Sequence, residues 1–140
     1  MPKKKTEIQS TEQTQEQKPK KKRNGAYNKR RGNSYETKIA KELREIGFTG
    51  VVTSRAESKR MDDAKIDLID TEGKMPFFPQ LKRTINTPQY FKIREESPVD
   101  PEKFVLFWNK QEAKETNICS VGECVILDKK FFYELIKQYV

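Results

Sequence analysis

Lys65-Ile66-Asp67-Leu68-Ile69-Asp70, followed by Phe77-Phe78-Pro79-Gln80-Leu81-Lys82-Arg83, is the stretch on which the reading of this chain turns. Ile66–Asp70 and Phe77–Arg83 read as strands, Thr71–Lys74 as the turn between them, and Pro79 as an irregular point in the second strand. Asp67 stands between Ile66 and Leu68, and an acid in such a run costs several kcal/mol unless it is paired or bound to a metal. Gln80-Leu-Lys82 follows thirteen residues later. Side chains alternate along a strand, so residues 80 and 82 share a face, and a hairpin brings Asp67 beside them. A salt bridge to Lys82 or an ordinary edge position is the simpler account of Asp67.

Upstream, Asn33-Ser-Tyr-Glu36 has the capping-box pattern, a side-chain acceptor with glutamate three residues later. Tyr35, Ile39, Leu43 and Ile46 then mark one buried helical face, and Gly47 is placed to end the helix. Glu36 has Ile39, Ala40 and Leu43 on its side of the helix and so points toward the sheet. Packing this helix over the hairpin draws Glu36, Asp67, Gln80 and Lys82 together, although the cap alone also accounts for Glu36. Val51–Thr53 reads as a short extended segment, and Ser54–Ala64 as a polar loop.

Downstream, residues 86–101 form a mixed region with a short helix near Tyr90–Ile93. Phe104–Trp108 is a continuous apolar run, the mark of a strand covered on both faces. Val121-Gly122 suggests a turn, Cys124–Leu127 a further strand, and Asp128 the cap of a last helix lined by Phe132, Leu135, Ile136 and Tyr139. The order α-β-β-β-β-α, without repeats, predicts an α/β fold with a mixed central sheet flanked by helices.

Charge divides the 140 residues unevenly. Residues 1–31 carry eleven lysines and arginines against three glutamates, whereas residues 32–140 hold 18 basic and 18 acidic side chains. The expected organisation is a disordered basic tail, 1–31, on a neutral domain, 32–140, because the tail is too polar to bury surface. Lys20, Lys21, Lys22, Arg23, Arg30 and Arg31 in the tail, and Arg55, Lys59, Arg60 and Arg83 beyond it, are candidate contacts for a phosphate backbone. A solvated tail or loop is the bland alternative. Tyr90, Phe91 and Lys92 continue the interleaving of bases with aromatics, with at least one ring expected in the core.

The composition excludes much. There is no histidine, so a Ser–His–Asp triad, a His-ligated zinc or haem, and a histidine-based nuclease site are ruled out. Cys119 and Cys124 are too few for a four-cysteine zinc site and read as free buried thiols. No apolar run approaches the roughly 20 residues of a membrane span, so no membrane partner is expected. Carboxylate and amide oxygens are, by contrast, the ligands a hard cation such as Mg²⁺ prefers, with Mn²⁺ able to substitute. Such an ion polarises a phosphodiester and acidifies water, and a lysine two residues from a ligand can contact the phosphate.

The helix start Arg31-Gly-Asn-Ser-Tyr-Glu36, the end at Gly47-Phe48, Val51-Val52, Asp67 and Gln80-x-Lys82 together resemble the PD-(D/E)XK nuclease superfamily, and within it the archaeal-type Holliday junction resolvases. The resemblance covers about Arg31 to Thr84. It implies a restriction-endonuclease-like fold in which Glu36, Asp67 and Gln80 hold Mg²⁺, Lys82 is the catalytic lysine, and a homodimer cuts branched DNA without a small-molecule cofactor. Position 80 is glutamine where resolvases have glutamate, which weakens metal binding by one charge and leaves open a binding-only protein. Asp62 and Asp63 in the preceding loop are candidate replacement ligands. A restriction or repair nuclease acting on duplex DNA is the neighbouring expectation. The expected location is the cytoplasm or nucleoid, or a host cytoplasm if the chain is viral; Lys18–Arg31 also resembles a nuclear import signal.

Overall fold

The computed structural model describes residues 25–57 and 66–140, so the expectations placed on Lys20, Lys21, Lys22, Arg23, Lys59, Arg60, Asp62 and Asp63 lie outside the described residues. The first helix, α1, spans Gly25–Ile46. Asn33 is thus in the helix interior and not at its cap; its carbonyl accepts from Thr37 Oγ1 at 3.0 Å. Tertiary anchorage outweighs the local signal, because Arg31 donates to Gln111 Oε1 and lies over the Tyr27 ring. These contacts offset the roughly 1 kcal/mol that Gly32 costs inside a helix. The far end follows the sequence. Gly47 adopts φ +138°, and its N–H and that of Phe48 return to Leu43 O at 3.2 and 3.0 Å.

β1, Val51–Thr53, pairs antiparallel with β2, Leu68–Asp70, Val51 lying opposite Asp70. The expected polar loop opens with one helical turn, α2, Ser54–Glu57. A side chain at Gly50 would displace Asp70, because a Cβ there would stand 2.7 Å from its Oδ1. The turn after β2 is held by Asp70, whose carboxylate accepts main-chain N–H groups of Glu72, Lys74 and Met75. Desolvation pushes the Asp70 carboxyl up, but those three donors outweigh it and leave it below the usual carboxylate range.

A separate mixed sheet contains β3, Phe78–Thr84, parallel to β4, Phe104–Ala113, with β5, Ile118–Leu127, antiparallel on the far side. The parallel crossover passes through α3, Tyr90–Glu96, and a 3-10 turn, Pro101–Lys103. Val121-Gly122 does not form a turn. It lies within β5 at a bulge where the register slips between Lys110 and Gln111, glycine serving a bulge as readily as a turn. The reversal falls instead at Lys114–Asn117, closed by a 2.7 Å bond from Lys114 N to Asn117 O.

Two apolar layers enclose the mixed sheet. On one face Tyr35, Ile39, Ala40 and Leu43 of α1 pack against Val51, Leu68 and Leu81. On the other, Tyr90 meets Phe104 and Leu106, with Ile93, Val99 and Ile126 around them. β4 is therefore covered on both sides, as its unbroken apolar run demands. Each fully buried aliphatic side chain contributes about 1.5–3 kcal/mol of transfer free energy. The last helix, α4, Lys129–Ile136, is capped by Asp128, which accepts from Lys130 N and Phe131 N. Its buried residue is Phe131, whereas Phe132, Ile136 and Tyr139, expected inside, are exposed. Cys119 is half-buried and Cys124 exposed, because β5 is an outer strand; both thiols are free.

Candidate functional site

Asp67 sits just ahead of β2 and joins the two sheets. Its main-chain N–H donates to Pro79 O at 3.1 Å, and its Oδ2 accepts the N–H of Leu81 at 2.7 Å. β2 pairs with β1 and forms no ladder with β3, so among the described residues the main-chain hydrogen bonds of the expected hairpin run through Asp67. Pro79 has no N–H to give, and the carboxylate takes the place of a strand carbonyl. Leu81 is the residue between Gln80 and Lys82, so Asp67 is bonded to the strand that carries both.

Gln80 is buried, 7% exposed, and its Oε1 has no hydrogen-bond partner among the described residues. A buried acceptor in that condition points to a water or cation at the site. Ser54 is close to the same place: its N–H donates to Asp67 O at 2.9 Å, and its own Oγ is buried without a partner among the described residues.

Glu36 reaches this region from α1. Its Oε1 accepts Arg55 Nε at 3.0 Å, the carboxylate being mostly buried and the guanidinium one-third exposed. Arg55, expected to face a phosphate backbone, is thus committed to a carboxylate. Leu81 faces the α1 layer, so by alternation Gln80 and Lys82 leave β3 on the α3 side. Glu36 and the Gln80/Lys82 pair therefore approach Asp67 from opposite faces of the sheet, and not across one face as the sequence suggested.

Asp67 and Gln80 fit a hard cation with two oxygens, one anionic and one a buried amide oxygen without a partner among the described residues. Glu36 lies on the other face of the sheet and is paired with Arg55, so it joins this set only on leaving that ion pair. The described residues contain no cluster of three Asp, Glu or Cys groups.

Beyond Gln80, β3 opens into a cleft of about 490 Å³ at the carboxyl ends of β3 and β4. Arg31 of α1 and Lys82 and Arg83 of β3 line it. Of the expected phosphate contacts, Arg31 and Arg83 are brought together here: Arg83 Nη1 donates to Arg31 O at 3.4 Å. Arg30 is exposed on α1. No local pattern in the sequence announces that Gln111 orients Arg31, because the two residues are eighty positions apart. Compared with known proteins, the chain matches no family model, no curated protein and no solved structure.

Proposed function

We propose that the protein is a small metal-dependent DNA endonuclease of the PD-(D/E)XK type, acting as a homodimer on branched DNA such as a Holliday junction. The observation that carries this reading is the bond from Asp67 to Leu81, which ties the acid to the Gln80-x-Lys82 strand. The order α1, β1, α2, β2, β3, α3, β4, with β3 parallel to β4, supports it. So does the cationic cleft beside Lys82.

Asp67 and Gln80 would hold Mg²⁺ or Mn²⁺, which when bound supplies Lewis acidity toward a phosphodiester and acidifies water; Glu36, on the other face of the sheet, would join them only on leaving its ion pair with Arg55. Asp67 is kept in place by Leu81 N–H. Lys82 places its ammonium beside the scissile phosphate, donating to a non-bridging oxygen and offsetting charge that builds in the transition state. Arg31 and Arg83 bind the flanking phosphate. Recognition rests on backbone charge and shape. The exposed Phe132, Ile136 and Tyr139 offer an apolar face for a second subunit.

A second reading is favoured by a specific observation. Arg55 already neutralises Glu36 and position 80 is an amide, which suits a domain that binds DNA without cutting it. A restriction or repair nuclease on duplex DNA remains the neighbouring enzymatic reading.

End-labelled four-way junction, forked and linear duplex DNA, incubated with Mg²⁺, Mn²⁺ or EDTA beside Asp67→Asn, test these readings. Paired symmetric nicks on the junction alone, lost in EDTA and in the variant, are the expected result. Cutting of every substrate would indicate a general nuclease. Tight, salt-sensitive binding without cutting would indicate the binding-only domain.

A further inference from the structure

We propose that the cleft at the carboxyl end of β3 is a pocket for one unpaired nucleotide next to the scissile phosphate, its own phosphate held by Arg31 and Arg83 beside Lys82 and its base by the apolar wall. The inference deepens the nucleic-acid reading above and rests on it for the kind of phosphate taken. β3 and β4 are parallel here, and α/β folds take ligands in the crevice outside the carboxyl ends of parallel strands. α1 supplies one side of the crevice through Arg31, and α3 the other through Ile93.

The charges carry the argument furthest. Among the described residues, Arg31, Lys82 and Arg83 are absent from every ion pair. Arg83 nevertheless reaches the Arg31 carbonyl, and its Nε is buried with no acceptor among the described residues. Arg31 is steadied by neutral groups. It donates to Gln111 Oε1, Gln111 Nε2 donates to Asn109 Oδ1 at 2.7 Å, and Ser120 Oγ donates to the same oxygen at 2.6 Å. Gln111 and Asn109 are 1% and 4% exposed. This amide relay positions a cation without neutralising it. Three uncompensated cations in one cleft, one with an idle buried donor, call for an anion with several acceptor oxygens, and guanidinium pairs phosphate by forked hydrogen bonds.

Size and polarity then narrow the ligand. Inorganic phosphate would occupy the cationic side of the 490 Å³ cleft and leave Ile85, Pro88 and Ile93 without a partner. A base and sugar attached to that phosphate cover them. The bases of a continuous duplex are stacked and cannot enter, whereas a branch point or frayed end presents an unpaired nucleotide. The pocket thus selects disrupted DNA before any strand is cut.

The test is equilibrium binding by titration calorimetry in EDTA, using a deoxynucleoside 5′-monophosphate, the matching nucleoside and inorganic phosphate. The nucleotide is expected to bind saturably, at least ~10-fold more tightly than either fragment, as charge-assisted bonds of this kind allow. Arg31→Gln and Arg83→Gln should each weaken it ~10-fold or more, with thermal melts confirming that the variants fold. If Arg83→Gln does not fold, Arg31→Gln carries the test. Ile93→Ser should weaken the nucleotide and leave phosphate unchanged. No saturation, equal affinity for phosphate and nucleotide, or equal affinity for nucleoside and nucleotide would each overturn the pocket. Because EDTA prevents cleavage, an inactive enzyme that binds the nucleotide sinks only the catalytic reading, and an active enzyme that does not bind it sinks only this one.

Discussion

Asp67 bonds to β3 on both sides of Gln80, its N–H donating to Pro79 O at 3.1 Å and its Oδ2 accepting Leu81 N–H at 2.7 Å. A side chain acts here as a strand edge. The acid is oriented by the same strand that supplies its proposed partners, so any shift of β3 moves Asp67, Gln80 and Lys82 together.

Two substitutions at Asp67 separate its structural role from its chemical one. Asp67→Asn keeps an acceptor for Leu81 N–H, so its melting temperature should stay close to that of the parent while cleavage is lost. Asp67→Ala leaves that N–H without its partner and should cost about 1–3 kcal/mol. Urea unfolding of both variants beside a cleavage assay checks this. Equal destabilisation would mean that charge, and not the acceptor, holds β3.

Lys82→Ala should reduce cleavage by ~10²–10³-fold, the usual loss when a donor to a developing anion is removed. Junction affinity should change by no more than a few-fold, since Lys82 meets one phosphate among many. Gel-shift titration in Ca²⁺ beside single-turnover cleavage in Mg²⁺ distinguishes the two effects. A parallel fall in both would make Lys82 a binding residue only.

Arg55 competes with a metal ion for Glu36. An ion pair with this exposure is worth up to about 1 kcal/mol, so Arg55→Gln should lower the half-saturating Mg²⁺ concentration by up to ~5-fold. A magnesium titration of the cleavage rate reads this directly. An unchanged midpoint would remove Glu36 from the ligand set.

Acid should loosen the fold through Asp70 and Asp128. Desolvation raises both, but at Asp70 three main-chain donors prevail, and at Asp128 the N–H groups of Lys130 and Phe131 together with Arg94 do so. Each carboxyl therefore titrates below its ordinary 3.8 when folded. A depressed folded value means stability that is complete above the unfolded value and lost as pH falls through the folded one. Melting temperatures should drop below about pH 4, and Asp70→Asn or Asp128→Asn should flatten that drop while lowering the plateau at neutral pH. A slope identical to the parent's in both variants would assign the acid sensitivity elsewhere.

Deleting residues 2–24 removes eight basic and three acidic side chains and leaves α1 whole. Every phosphate that the shortened chain no longer neutralises should take about 0.9 from the slope of log affinity against log salt. Cleavage at low salt should persist. An inactive truncated chain would show that the segment does more than attract DNA.

The extent of each local element was legible wherever one physical signal dominated. Gly47 ended α1, Asp128 capped α4, and the apolar run from Phe104 announced a doubly covered strand. Signals that two structures share misled. Asn33-x-x-Glu36 fits a cap and a helix interior, and Val121-Gly122 fits a turn and a bulge. Of the proposed site, Asp67 and Gln80-x-Lys82 stood out because an acid and an amide in apolar strands need partners. Tertiary structure alone decided that Asp67 would bond Leu81, that Glu36 would meet Arg55, and that Gln111 would hold Arg31 beside Arg83. Those pairs join residues 14 to 80 positions apart, and a periodicity of two or 3.6 residues carries no information over that distance. Backbone preference and apolar spacing act within a few residues, whereas the charges and hydrogen bonds of the site depend on which surfaces the packed layers bring face to face.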